Sequence, residues 1–208
     1  MQLQEFYSLV STALKRGTEL DSIIPQFAPL ACGWLERNYT MKYMESVRLL
    51  QVNTGDRTIE LQSNQQIKEI VFLRMIGTGG EYRYVSRRNP RDFTSVARGP
   101  SDFYWLAGTS TIVLENIAAA EETGEALFNC YSAWPKEPEE THPLLSSAPD
   151  VMMYQTLLML AAHARDVRIA EAYIGLRNEG LNTLTRAEDE FRYGSVEQSM
   201  AYIPYQFG

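Results

Sequence analysis

Histidine and cysteine are almost missing from this chain, with two of each in 208 residues. The cysteines, Cys32 and Cys130, fall on different expected elements, a helix and a strand. They offer neither a disulfide framework nor a zinc spacing. Buried free thiols are the expectation, which suits synthesis in a reducing cytoplasm. His142 sits near Glu137, Glu139 and Glu140, but in a proline-rich stretch that reads as a solvated loop. One histidine among solvated carboxylates is a thin ligand set, so no metal is expected. His163 lies on an Ala-rich apolar run and reads as a core or interface histidine. No serine, cysteine or aspartate stands in a recognised nucleophile context. The one glycine-rich loop, Gly77-Thr78-Gly79-Gly80, precedes a strand and lacks a following lysine, so it fails as a phosphate cradle. A hairpin tip is expected there. These absences predict a protein without catalytic residues and without a cofactor.

A long hydrophobic run is also lacking. The longest, Val151–Ala164, is broken by Gln155, Thr156 and His163 and is too short to span a bilayer. The first residues carry no signal-peptide pattern, since Glu5 interrupts them and the positive charges follow the apolar positions. A soluble protein without membrane contact is expected. Positive charge is in deficit, at 19 Lys and Arg against 26 Asp and Glu, a net −7. Such a chain cannot coat nucleic acid, which needs clustered Lys and Arg to release counterions. It can still border DNA without gripping it.

Periodic patterns are plentiful. Leu3, Phe6, Tyr7, Val10 and Leu14 share one helical face, and Gly17 ends that helix. Asp21 is the expected cap of a second helix, with Pro25 in its first turn. Phe27, Leu30, Ala31, Trp34 and Leu35 form its apolar stripe, which Glu36 and Arg37 leave. The two helices should pair antiparallel. From Ser46 to Trp134 the pattern turns to short β-type runs: Val47–Val52, Thr58–Leu61, Ile67–Met75, Tyr82–Ser86, Phe103–Leu106, Thr111–Leu114 and Ala126–Trp134. They predict about seven antiparallel strands in a sandwich or barrel. Between them, Asn89-Pro90 opens a helical turn on which Phe93 and Val96 share a face. A linker from Pro135 to Ser147 follows. Ser147 would cap a helix begun by Pro149 and running over Asp150–Arg165. A second helix would run from Asp166 to about Arg192, weakened at Gly175 and Gly180 and stopped by Gly194.

The expected fold class is therefore α+β. A helical bundle would form from residues 1–45 and 148–194, with a β domain over 46–135 inserted and a linker at 136–147. Residues 195–208 would form an extended tail.

Two features suggest binding. Arg83, Arg87, Arg88, Arg91 and Arg98 make a basic island opposed nearby only by Glu81 and Asp92. It reads as a contact for an acidic partner, an acidic neighbour subunit or DNA phosphates, or else as a solvated loop. Complementary acids stand at Glu121, Glu122, Glu125 and in the 137–140 stretch. The tail carries Tyr202, Ile203, Pro204, Tyr205, Gln206 and Phe207, of which Tyr202, Ile203, Tyr205 and Phe207 are large and apolar and show no helical period. Such residues dock on a partner, for example by strand addition, or fold back on their own chain. The partner is the favoured reading. A different class of function, a small hydrolase or carbohydrate-binding β module with helical flanks, would need a pocket lined by aromatics such as Tyr82, Tyr84, Phe103, Tyr104 and Trp105.

Three stretches carry a family resemblance. LKRGTELDSIIPQFAPLACGWLERNY has a helix, the turn Ile24-Pro25-Gln26-Phe27 and a second helix ending in Glu36-Arg37. SDFYWLAGTSTIVLENIAA reads as a strand pair. ALFNCYSAWPKEPEETHPLLSSAPDVMMYQTLLMLAAHARD places Tyr131, Pro143, Leu144, Pro149, Asp150 and Tyr154 in a strand-to-helix junction. Together, in this order, they resemble the tail adaptor proteins of short-tailed bacteriophages, also called head-to-tail connector or gatekeeper proteins. The resemblance implies a structural virion protein in the neck of the tail. It implies a dodecameric ring beneath the portal protein that extends the DNA channel, helps retain packaged DNA and carries the tail nozzle. It also implies that the C-terminal segment, here Tyr202–Phe207, grips the portal, and that double-stranded DNA passes only transiently through the channel.

Overall fold

A computed structural model describes residues 1–14, 20–61, 66–77, 80–92, 96–108 and 110–193. Gly17, Thr78, Gly79, Phe93, Gly194 and the segment 195–208 lie outside the described residues. The chain divides into two compact units, Met1–Tyr43 with Ala133–Gly208, and Met44–Ser132. The described residues are mixed α and β, with five α-helices and two four-stranded sheets, and no closed barrel forms among them. No described helix is long and apolar enough to cross a membrane.

The first unit is helical. α1 (Leu3–Leu14) buries Leu3, Phe6, Val10 and Leu14, the stripe its spacing predicts. Its start is held from outside. Leu3 and Gln4 donate their backbone N–H groups to the carbonyls of Glu140 and Pro138 at 2.9 and 3.1 Å. Two of the donors a helix start leaves orphaned are thereby satisfied. α2 (Ile24–Asn38) begins with Pro25 in its first turn, as expected, but its cap is Ile23 and not Asp21. Its buried face also sits differently from the predicted stripe. Ile24, Ala28, Ala31, Cys32, Leu35 and Glu36 are buried, while Leu30 is 57% exposed. Small Ala28 and Ala31 let a neighbouring backbone approach, which leaves bulky Phe27 and Trp34 half-buried at the flanks.

The expected linker is partly helix. α3 (Pro143–Ser147) is capped by the His142 side chain, which accepts the Leu144 N–H. Five residues cannot hold a helix alone; Leu144 and Leu145 anchor it by burial. α4 (Pro149–His163) starts with Pro149 at its first position, but its cap is Ala148. Ser147 instead donates its hydroxyl to the Pro143 carbonyl at 3.2 Å. α1, α2, α3 and α5 (Val167–Tyr193) all pack on α4, which is why it is buried on more than one side. Gly180 is a point of close approach and not a weak point. A β-carbon there would stand 2.8 Å from Val151 Cγ2. Gly175 faces open space.

The described residues of the second unit form eight strands. β1 (Glu45–Val52), β3 (Ile67–Ile76), β4 (Tyr82–Tyr84) and β8 (Glu122–Cys130) make one sheet, in the order β1-β8-β3-β4. β2 (Thr58–Glu60), β5 (Ser86–Arg87), β6 (Phe103–Ala107) and β7 (Thr111–Leu114) make the other, in the order β2-β7-β6-β5. β8 starts four residues before the predicted run and ends at Cys130, because it must pair along the whole of β1, from Glu45↔Asn129 to Val52↔Glu122. Ala133 and Trp134 belong to the helical unit. The all-antiparallel expectation fails at one edge, where β5 runs parallel to β6. The cause is a crossing at Val85. Its N–H donates to Leu73 in the first sheet at 2.8 Å, its side chain is buried, and the next residue, Ser86, bonds Asp102 beside the second sheet at 2.8 Å. Residues of both sheets, including Leu50, Leu73, Met75 and Phe128 with Ile59, Tyr104, Ile112 and Leu114, share one buried cluster.

Candidate functional site

The crossing at Val85 divides the arginine island. Arg83, on β4, stays in the first sheet and pairs with Glu122 at 3.2 Å. Arg87 and Arg88 arrive at the edge of the second sheet, where Arg88 N–H bonds the Tyr104 carbonyl at 2.9 Å. Alternation along β6 turns Tyr104 into the core and leaves Phe103 and Trp105 half-buried on the opposite side. The Arg88 guanidinium lies 3.7 Å from the Phe103 ring centroid. Arg57, far away in sequence, lies 4.8 Å from the Trp105 ring centroid and donates Nε–H to the Leu114 carbonyl at 2.7 Å. Arg87, Arg88, Asn89, Pro90, Trp105 and Leu106 line an open cleft of about 360 Å³. Arg91 is on the short turn Pro90–Asp92, and Arg98 pairs with Ile117 through an isolated bridge. Among the described residues only Arg83 of the five island arginines forms an ion pair. A guanidinium lying over a ring keeps a flat, directional donor edge for carboxylate or phosphate oxygens. Sequence spacing finds Arg87 and Arg88 but not Arg57, which only strand pairing brings to this face.

A second cluster lies inside the helical unit. The i, i+4 spacing of Cys32 and Glu36 puts both on the buried face of α2. His142, expected in a solvated loop, is buried against them. Its ring stacks on Trp134 with centroids 5.3 Å apart and meets the Tyr43 ring edge-on at 5.7 Å. His142 Nε2 is 3.7 Å from Cys32 Sγ and 3.8 Å from Glu36 Oε1. Tyr43 donates its hydroxyl to Glu36 Oε1 at 3.2 Å. Burial, then the Glu36 charge, pushes both the Cys32 thiol and the Tyr43 phenol far above their ordinary ranges. Burial pushes His142 down to about 4.

Cys32, Glu36 and His142 each offer a ligand atom within 4.8 Å of the others. The donor set does not suit a metal, however. Nδ1 accepts the Leu144 N–H at 3.2 Å, so the neutral ring carries its proton on Nε2, where a cation would need the lone pair. Nor does it suit nucleophilic chemistry, which needs a thiolate and a base near neutrality. The arrangement joins α2, through Cys32 and Glu36, to the His142 cap of α3, whose ring is packed between Trp134 and Tyr43. One signal in the sequence could have found it: His142 stands immediately before Pro143, the position of a helix cap.

The remaining expected site residues are scattered or out of view. Tyr202, Ile203, Pro204, Tyr205, Gln206 and Phe207 lie outside the described residues. Tyr82 and Tyr84 are exposed on β4 of the first sheet, while Phe103, Tyr104 and Trp105 belong to the second, so these five aromatics do not line one pocket. His163, expected in a core or interface, is exposed on this chain, 5.1 Å from the Phe27 ring.

No protein-family model matches the chain. No curated protein is significantly similar to it.

Proposed function

We propose that this chain is a non-enzymatic structural protein of a phage virion, an adaptor ring that joins the portal to the tail nozzle. The observation that supports this most is the arrangement of the units. The described residues before and after the β unit, α1 and α2 with α3, α4 and α5, belong to one compact unit, and the β unit is inserted between them in the sequence. That is the order of parts behind the resemblance to tail adaptors. In this reading the helical hairpin over Asp150–Arg192 forms the ring wall and Tyr202–Phe207 docks on the portal. The ring extends the DNA channel and helps retain packaged DNA. A net charge of −7 suits a wall that DNA must slide past, because it offers few phosphate anchors. Heterologous contacts around such a ring can be individually weak, since each subunit is held on both sides and from above. The free protein is then a monomer or a weak associate, and the portal templates closure.

The test is the native mass of the purified protein alone and after mixing with its portal, read by mass photometry. A monomer that joins the portal in ring stoichiometry supports the reading. A protein that ignores the portal overturns it.

A further inference from the structure

We propose that the arginine–aromatic face of the β unit is the docking surface for the acidic turn 137–140 of a second copy of this chain. The inference rests on the ring reading above and names the contact between neighbours.

Arg57, Arg87 and Arg88 form no ion pair among the described residues. The Arg57 and Arg88 guanidinium groups lie over aromatic rings, and Arg57 also bonds the Leu114 carbonyl of β7, so these two are placed before any partner arrives, while β5 sets the backbone of Arg87 beside them. Among the described residues, the cleft beside Trp105 is bordered by two of them and by no carboxylate. This face needs anionic oxygens on a narrow, protruding element.

The same chain supplies one. Glu137 and Glu139 are exposed and form no ion pair among the described residues. Their turn is braced from within. Glu140 Oε2 accepts the N–H groups of Lys136 and Glu137 at 3.0 and 3.3 Å, and Glu140 N–H bonds the Glu137 carbonyl at 3.1 Å. It is braced from outside too, because its Pro138 and Glu140 carbonyls cap the start of α1. A turn already held in shape loses little freedom on docking. Glu140 is spent inside the turn, which leaves Glu137 and Glu139 to face a partner.

DNA is the less favoured occupant. A chain of net −7 repels a polyanion over its whole surface, and two or three arginines release few counterions. Two copies also repel each other at long range. At physiological salt that repulsion is screened beyond about 8 Å, while the local contact survives. Face and turn are different patches, so the contact is head-to-tail and can propagate around a ring.

The experiment is sedimentation velocity of the full chain at 0.15 M salt over tens to hundreds of micromolar. The expected wild-type result is weak self-association that fades as salt rises. Arg87→Glu with Arg88→Glu weakens it by about tenfold or more, as does Glu137→Arg with Glu139→Arg. All four substitutions together restore the contact with its polarity reversed, to within about threefold of wild type. Glu137→Gln with Glu139→Gln alters only exposed carboxylates and gives loss without reversal, so a folding defect in another variant does not decide the outcome. A wild-type monomer at every concentration, or a fourfold variant as weak as its two parents, overturns the proposal. So does DNA binding that the arginine reversal abolishes and the fourfold variant fails to recover. Portal binding is scored separately in the same variants. A wild-type chain that joins the portal without self-associating, or a fourfold variant left unrescued while portal capture is intact, refutes this contact alone, while a chain that never joins the portal refutes the adaptor reading.

Discussion

Acidification should weaken the helical unit through one side chain, His142. The imidazole is buried, stacked on Trp134, and accepts the Leu144 N–H at Nδ1. A second proton on the ring would have to sit on Nδ1, pointing at that N–H, and would put a charge where water cannot reach it. Glu36 Oε1, 3.8 Å from Nε2, favours the cation, but burial outweighs it and the folded pKa falls from 6.5 to about 4. The sign follows directly. Between those values the unfolded chain binds the proton and the folded chain does not, so stability rises with pH. The contribution is complete above about pH 6.5 and disappears as the pH falls toward 4. Between pH 7 and pH 5 the loss from this group is about 2 kcal/mol.

His142→Asn is the informative comparison. Asparagine is a good helix cap and keeps an acceptor for Leu144 N–H, but it does not titrate. Urea unfolding can be followed by tryptophan fluorescence in a Trp105→Phe background, which leaves only Trp34 and Trp134 of the helical unit to report. Wild type should lose about 2 kcal/mol more than His142→Asn between pH 7 and pH 5. The absolute stabilities do not matter, only the two slopes. Equal slopes would refute the reasoning, because they would mean that His142 is either charged in the folded state or open to water.

Three further outcomes follow from the helices and the tail. Gly175→Ala should stabilise the helical unit by about 0.5–1 kcal/mol, since its β-carbon enters open space on a helix. Gly180→Ala should instead destabilise it, by about 1–3 kcal/mol, because the same β-carbon strikes Val151; paired thermal melts decide both. Cys32 should stay unlabelled by a thiol reagent at pH 8 in the folded protein, burial having raised its pKa, and react only on unfolding. Fast labelling would contradict the buried cluster. Removal of Ala201–Gly208 should abolish portal capture in a pull-down while thermal stability is unchanged, and undiminished capture would count against the tail as the portal grip.

Much of the fold was legible because its periods are local. The α1 stripe and most strand runs follow from spacing that a single element imposes on itself. What escaped depends on packing against something else. Leu30 looked like part of the α2 stripe, and Glu36 looked like its polar edge. The buried face is instead set by Ala28 and Ala31, whose small size decides which side of the helix can come close. The parallel β5–β6 pair escaped for a related reason. Tyr82–Ser86 has one continuous alternation, and nothing in that alternation says that residues on either side of Val85 join different sheets.

That crossing also governs what the arginine island can do. Five arginines in sixteen positions look like one patch when read along the chain. A strand that changes sheets after Val85 hands Arg83 to Glu122 and leaves Arg87 and Arg88 beside Trp105, where Arg57 joins them from a distant turn. Counting charges along the sequence therefore overstates the island at one end and misses a member at the other. The reverse error affected the acidic stretch. Glu137, Glu139 and Glu140 looked equivalent, yet Glu140 closes the turn that caps α1, which makes it structural and frees the other two. A substitution at Glu140 should thus disturb α1 as well as any contact, whereas Glu137 and Glu139 test the contact alone. For that reason the charge-reversal experiment leaves Glu140 in place.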